Sequence, residues 1–303
     1  MVVTRRLTSD ASTGVARSLS VPPHAYFVVS AVFHYLGPAF AVLLFGRVDV
    51  LGVAWLRIAS AAAVFGVWRR PWRSWSRLEL GTRRLVIAWG VVLAVMNSCF
   101  YLAIDRLPLS TVAAIEFIGP VVLAAIGVRN SRNAIALVFA VGGVYVLTGI
   151  ALDGELVGIM FAFANAVLFS LYIVLGHRVA QQGPVLAIDC LGLSMLVAGV
   201  VAWPLGILDG GKALLDPLAL LAGVGVGVSS SVIPYVADQL ALGRLPRATY
   251  ALFVSLLPAT ATLIGIVVLR QIPTVGEVVG VALVIAGVAV HQETLETGRS
   301  ERP

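Results

Sequence analysis

The sequence predicts an all-α integral membrane protein: ten transmembrane helices arranged as two inverted five-helix repeats. Three observations carry that fold class. Charged residues make up only 12% of the 303 positions and mean hydropathy is +0.99, whereas a soluble domain carries about 25% charge. The apolar residues come in blocks of roughly 20, which at 1.5 Å per residue cross a hydrocarbon core of about 30 Å. Finally, the chain matches itself at an offset of 138 residues. Leu107-Pro108 falls on Leu245-Pro246, Arg106 on Arg244, Thr111 on Thr249, Ala113 on Ala251, Pro120 on Pro258 and Gly127 on Gly265.

Spans are expected near 25–46, 50–68, 84–104, 108–128, 133–150, 155–176, 185–207, 217–240, 247–270 and 274–291. Turn chemistry or charge separates them at 47–49, 69–84, 105–108, 129–133, 153–155, 177–184, 208–217, 243–246 and 270–273. The domain plan is an N-terminal tail (1–24), a first repeat (25–150), a second repeat (151–292) and a C-terminal tail (293–303). Residues 1–23 are polar and mixed, with no apolar core before a cleavage site, and read as a cytoplasmic tail. With the N-terminus inside, sixteen of the 21 basic residues fall on the cytoplasmic face and four on the other, while Arg57 lies within the second span. The positive-inside rule therefore places both termini in the cytoplasm. Five spans per half turn the second half upside down relative to the first, a symmetry that transporters use to expose one central site to each face in turn.

The net charge of +6 sits in short loops, where it orients the chain, so nucleic acid is not an expected partner. Cys99 and Cys190 lie inside apolar blocks with no metal or disulfide spacing. No P-loop, zinc-protease pattern or nucleophile elbow is present, and neither a cofactor nor a metal is expected. Gly223 and Gly227 form a small-xxx-small pair suited to close helix packing. Trp72 and Trp75 in the 69–84 loop suit an interfacial anchor.

A charge near the bilayer centre costs about 2.5–3.5 kcal/mol on insertion scales, so one that is retained faces a partner or an aqueous cavity. Glu116 lies about 12 Å and Arg57 about 10 Å below the same surface by helical rise. An Arg57–Glu116 pair is therefore geometrically open. Asn97 and Tyr101 share a face of the third span at i, i+4, and Asn165 is near the middle of the sixth. These residues are expected to line a substrate cavity, with Glu116 as the proton-coupling or amine-binding carboxylate. The competing structural role for Glu116 is as a partner of Arg57 that locks helices together. Interhelical hydrogen bonding is the alternative for Asn97 and Asn165, and an interfacial belt for Tyr101. His34 could titrate near neutral pH or simply be packed. Asp189 and Asp238 sit near cytoplasmic ends, where they can reach water.

The stretch from Asn97 to Pro120, containing Phe-Tyr-Leu-Ala-Ile (100–104) and Glu-Phe-Ile-Gly-Pro (116–120), resembles the EamA-type branch of the drug/metabolite transporter superfamily, above all its threonine and homoserine exporters. Gly176-His-Arg178, Gly183-Pro184, Ile233-Pro234-Tyr235 and the 241–246 run extend the likeness over about 27–290. It implies export of small amino acids or related metabolites across the inner membrane by alternating access, driven by proton exchange. It also implies that spans five and ten are peripheral, and that Glu116, Asn97, Tyr101 and Tyr235 occupy family site positions. Three positions depart from the family pattern: Leu257 and Gln271, where a Glu is common, and Val42, where a basic residue is. Expected partners are a small-molecule substrate, protons and the lipid bilayer, and a homodimer is compatible with the chain. The alternatives are export of another metabolite or drug-like amphiphile or, from a different class, a membrane-embedded enzyme or scaffold subunit.

Overall fold

The computed structural model describes residues 23–127, 131–151, 155–180, 184–211, 215–242 and 257–290, and their regular structure is entirely helical. In chain order the helices are α1 (Pro23–Leu44), α2 (Val50–Arg69), the single turn α3 (Trp72–Trp75), α4 (Leu80–Ile104), α5 (Leu109–Gly127) and α6 (Ser131–Ala151). They continue with α7 (Leu156–Ala180), α8 (Pro184–Gly210), α9 (Pro217–Gly227), a π-helical turn (Val228–Val232), α10 (Ile233–Leu242), α11 (Leu257–Leu269) and α12 (Val275–Val290).

Among the described residues six segments are long and apolar enough to cross a membrane: Ala25–Leu44, Val50–Arg69, Leu80–Ile104, Leu156–Val179, Leu186–Gly210 and Pro217–Ala237. Four shorter apolar helices, Leu109–Gly119, Ser131–Leu147, Leu257–Leu269 and Val275–Val290, coincide with the other expected spans. Positions 247–256 of the ninth expected span lie outside the described residues. So do 1–22, 291–303 and the second-half repeat matches from Arg244 to Ala251.

Local chemistry starts and stops the helices. Asp216 accepts the Leu218 N–H at 2.9 Å, with Pro217 at the first helical position of α9. Thr274 and Glu277 close a capping box on α12: the Thr274 N–H donates to Glu277 Oε2 at 2.7 Å, and the Glu277 N–H to Thr274 Oγ1 at 3.3 Å. At the end of α2, Arg70 turns into the left-handed region (φ 48°), and its N–H donates to the Gly66 carbonyl.

The interior is built by α1, α2, α4, α5, α7, α8 and the α9–α10 rod. α2 packs on α8 and α9, α4 on α7 and α8, and α5 on α7 and α11, while α1 packs on α9, α10 and α11. α6 and α12 lie to one side, mainly against each other and α5, which agrees with the expected peripheral place of the fifth and tenth spans. A Cβ on Gly143 would stand 2.6 Å from the Gly280 carbonyl, so these two helices meet backbone to backbone. Val138, Val167, Val200 and Leu263 are each more than 60% exposed, an apolar periphery suited to lipid.

Two glycine crossings bring the interior helices together. A Cβ on Gly90 of α4 would come within 2.7 Å of the Ser194 carbonyl and 2.6 Å of Val197 Cβ, both on α8. A Cβ on Gly227 of α9 would come within 2.6 Å of the Arg57 carbonyl of α2 and collide with Ser60. The pairs Gly90/Gly227, Arg57/Ser194 and Ser60/Val197 are each 137 residues apart. Gly223 presses on Leu56 one turn away, so the 223/227 pair packs closely, as its spacing predicts.

Candidate functional site

The π-helical turn organises one side of a polar core. Here the helix widens to i→i+5 bonding, with the Ile233 N–H donating to the Val228 carbonyl. Such turns free main-chain groups and are frequent at functional sites. Ser229 and Ser230 both return their hydroxyl protons to the Val226 carbonyl. Arg57, reaching across from α2, donates through Nε to Ser231 Oγ at 3.0 Å and through Nη2 to the Ser230 carbonyl at 3.1 Å. The Tyr101 ring lies beneath the guanidinium at 5.6 Å, a cation–π contact strengthened by burial. α1 holds the turn from behind: Gly37 abuts the Ser230 backbone, and Ser30 Oγ donates to the Pro234 carbonyl at 3.3 Å.

Opposite stand Glu116 of α5, Asn165 of α7 and Tyr35 of α1. Glu116 is 4% exposed and the other two are fully buried. Asn165 lies beside Glu116 without meeting hydrogen-bond geometry, and Glu116 is within electrostatic reach of both Arg57 and Tyr35. Five buried polar atoms here have no hydrogen-bond partner among the described residues: Glu116 Oε2, Asn165 Oδ1 and Nδ2, Tyr35 Oη and Tyr101 Oη. Left unsatisfied, each costs about 1–3 kcal/mol, and native interiors tolerate few such groups. They come from four helices and lie in the same buried cluster as the Arg57 guanidinium.

The Arg57–Glu116 pair that matching depth left open does not form. The ion pairs among the described residues are Arg69–Asp189 and Arg106–Asp105. The cause is lateral: α2 packs on α4, α8 and α9, whereas α5 packs on α6, α7, α11 and α12, and Arg57 is drawn onto the π turn and Tyr101 instead.

The other expected site residues divide. His34 stands edge-on to Tyr35 at 5.2 Å and within electrostatic reach of Arg57. Asn97, also buried, returns its amide proton to the Leu93 carbonyl of its own helix at 2.8 Å. Tyr235 stacks on Tyr172 at 6.4 Å, in an aromatic series that continues through Phe169 to Phe117, the neighbour of Glu116. The residues missed in the sequence are Tyr35, Ser230 and Ser231. Their signal was a run of three serines in an apolar span and a tyrosine beside His34.

The three departures from the family pattern serve packing and capping. Val42 and Leu257 pack against the main apolar core. Gln271 Oε1 accepts the Leu109 N–H at 3.1 Å, satisfying a donor that a helix start leaves free. Asp189 is also tied down more than its place near a helix end suggests. It pairs with Arg69 at 2.8 Å and accepts from Ser74 Oγ at 2.8 Å. A separate groove of about 480 Å³ between α1 and α9, lined by Phe40, Leu43, Arg47, Leu218 and Ser229 among others, contains none of the seven expected site residues.

A bundle of long apolar helices with a buried polar cluster among its central members is the setting in which the relatives of this chain bear on its class. The chain belongs to the EamA-like transporter family, whose profile matches residues 156–291. It is 30% identical to the threonine/homoserine exporter RhtA of Escherichia coli K12 over 254 residues, 82% of this chain and 84% of that one. It is 31% identical to RhtA of Salmonella typhimurium LT2 over the same shares. The fold is similar to that of a solved crystal structure at TM-score 0.58 and 21% identity, covering 92% of this chain and 100% of the other.

Proposed function

We propose that this chain exports small neutral amino acids of the threonine/homoserine class, by alternating access of the Arg57–Glu116 site and in exchange for protons. The observation that carries the reading is the gathering of five unpartnered, buried polar atoms around one carboxylate and one guanidinium. The 30% identity to exporters named for those substrates supports it. Glu116 is the coupling group, because a buried carboxylate with a free oxygen can exchange a proton for a substrate cation.

The proposed scaffold is ten crossings in two inverted halves, 25–150 and 151–292, with both termini cytoplasmic. Helix neighbours support it, since contacts recur when the halves are exchanged: α4 on α7 as α9–α10 on α1, α4 on α8 as α9 on α2, and α5 on α7 as α11 on α1. The glycine crossings, repeated at 137 residues, support it too. A π turn takes up one more residue than an α turn, which accounts for the offset of 137 before Val228–Val232 and 138 after it.

A second reading, export of another metabolite or of an amphiphile, is favoured by Val42, Leu257 and Gln271, whose side chains are committed to packing and capping. The test is flux of labelled L-threonine in proteoliposomes, with and without a pH gradient. Gradient-stimulated flux is expected in the wild type, falling at least about 10-fold in Glu116→Gln, the loss of a charge-assisted hydrogen bond worth about 1.5–3 kcal/mol. Folded protein that moves no threonine sinks the amino-acid reading, and gradient-insensitive flux sinks the coupling.

A further inference from the structure

Arg57 and Glu116 are opposite charges buried in the same site, yet they are kept apart. No nitrogen of Arg57 comes within 4.0 Å of a Glu116 oxygen. Among the described side chains the only other buried charge is Glu277, which is engaged in capping its own helix. Among the described residues Arg57 is hydrogen-bonded to neutral acceptors, through its Nε and Nη2. A guanidinium carries five N–H donors in a planar fork suited to carboxylate, so donors remain. On the other side, Glu116 keeps Oε2 free, and Asn165 keeps both amide atoms free.

Leaving a buried charge uncompensated costs several kcal/mol. A ligand carrying one charge compensates one of these residues and strands the other. A zwitterion compensates both and leaves the site's net charge unchanged. Pro234, which has no N–H, leaves the Ser230 carbonyl without its i+4 donor, and that carbonyl and the Ser231 hydroxyl hold the guanidinium of Arg57 on the α2 side of the cluster.

Resting on the amino-acid reading of the site, we propose that Arg57 receives the α-carboxylate of the substrate while Glu116 and Asn165 receive its α-ammonium, the two ends of one zwitterion.

The test is solute counterflow of labelled L-threonine in proteoliposomes, which needs no ion gradient. Unlabelled competitors are L-threonine, threoninol (no carboxylate) and 2,3-dihydroxybutanoate (no ammonium). In the wild type both analogues are expected to compete roughly 10- to 100-fold more weakly than threonine, one charge-assisted contact being lost in each case. In Arg57→Gln, checked for folding by its melting curve, the preference for threonine over threoninol is expected to collapse, whereas Arg57→Lys retains it. Threonine counterflow with equal competition by threoninol overturns the assignment of Arg57 and leaves the exporter reading standing. Equal competition by the hydroxy acid does the same for Glu116. The wild-type comparison decides the matter even if Arg57→Gln fails to fold. Absence of threonine counterflow in folded wild type overturns both readings together.

Discussion

Gly90 and Gly227 do the same mechanical work in two places. Each removes the side chain at a helix crossing, one where α4 meets α8 and the other where α9 meets α2. The residue facing the glycine differs. On α8 it is Ser194, whose hydroxyl donates to the Val86 carbonyl of α4 at 3.1 Å and ends its reach there. On α2 it is Arg57, which extends past the crossing to the π turn and places a cation among the central polar groups. One crossing is packing alone, whereas the other carries a buried cation, which is the binding group under the proposed function. If the two crossings are copies as proposed, a repeated architecture holds an asymmetric site, with a charge placed in one copy and packing kept in both.

Three perturbations separate the two crossings. The largest effect is expected from Gly227→Val and Gly90→Val. Each inserts atoms against a neighbouring backbone, and overpacking of that kind costs about 1–3 kcal/mol or more. Melting temperatures of the purified variants should fall by similar amounts, and a fall in only one would separate the two crossings. Deleting Val228 is next. It removes the extra residue of the π turn, and the shift of about 100° per residue turns the Ser230 carbonyl and Ser231 hydroxyl away from Arg57. Threonine counterflow should drop roughly 10-fold or more, the worth of a hydrogen bond to a charged group, while circular dichroism retains full helicity. Unaltered counterflow would show that the π turn does not position Arg57. The smallest effect is expected from Ser194→Ala, about 1 kcal/mol of stability for one neutral hydrogen bond, with counterflow unchanged. A transport defect there would mean that the scaffold crossing also carries function.

Much of the fold was legible in the sequence because hydropathy reports directly on lipid burial. All six long apolar helices and the four shorter ones lie where the blocks of about 20 apolar residues placed them. Arg57 and Glu116 were legible for a related reason, since charges in apolar blocks stand out by their cost. What escaped was lateral arrangement. Helical rise gives the depth of Arg57 and Glu116 but not which neighbours α2 and α5 have, so the two could be matched in height and still not meet. The π turn escaped because a change from i→i+4 to i→i+5 bonding alters register and not composition. Tyr35 escaped because a tyrosine in an apolar span has a ring to bury, and only the structure shows its hydroxyl buried without a partner and within electrostatic reach of Glu116. Gln271 read as a lost carboxylate until its contact with the Leu109 N–H appeared.

The central claim, that the Arg57–Glu116 cluster is the substrate site, is tested most directly by equilibrium binding of labelled L-threonine to the purified protein. Wild type and Ser194→Ala are predicted to bind one molecule per chain with the same affinity, and Glu116→Gln to bind roughly 10- to 100-fold more weakly. Undiminished binding by a folded Glu116→Gln variant would contradict the account.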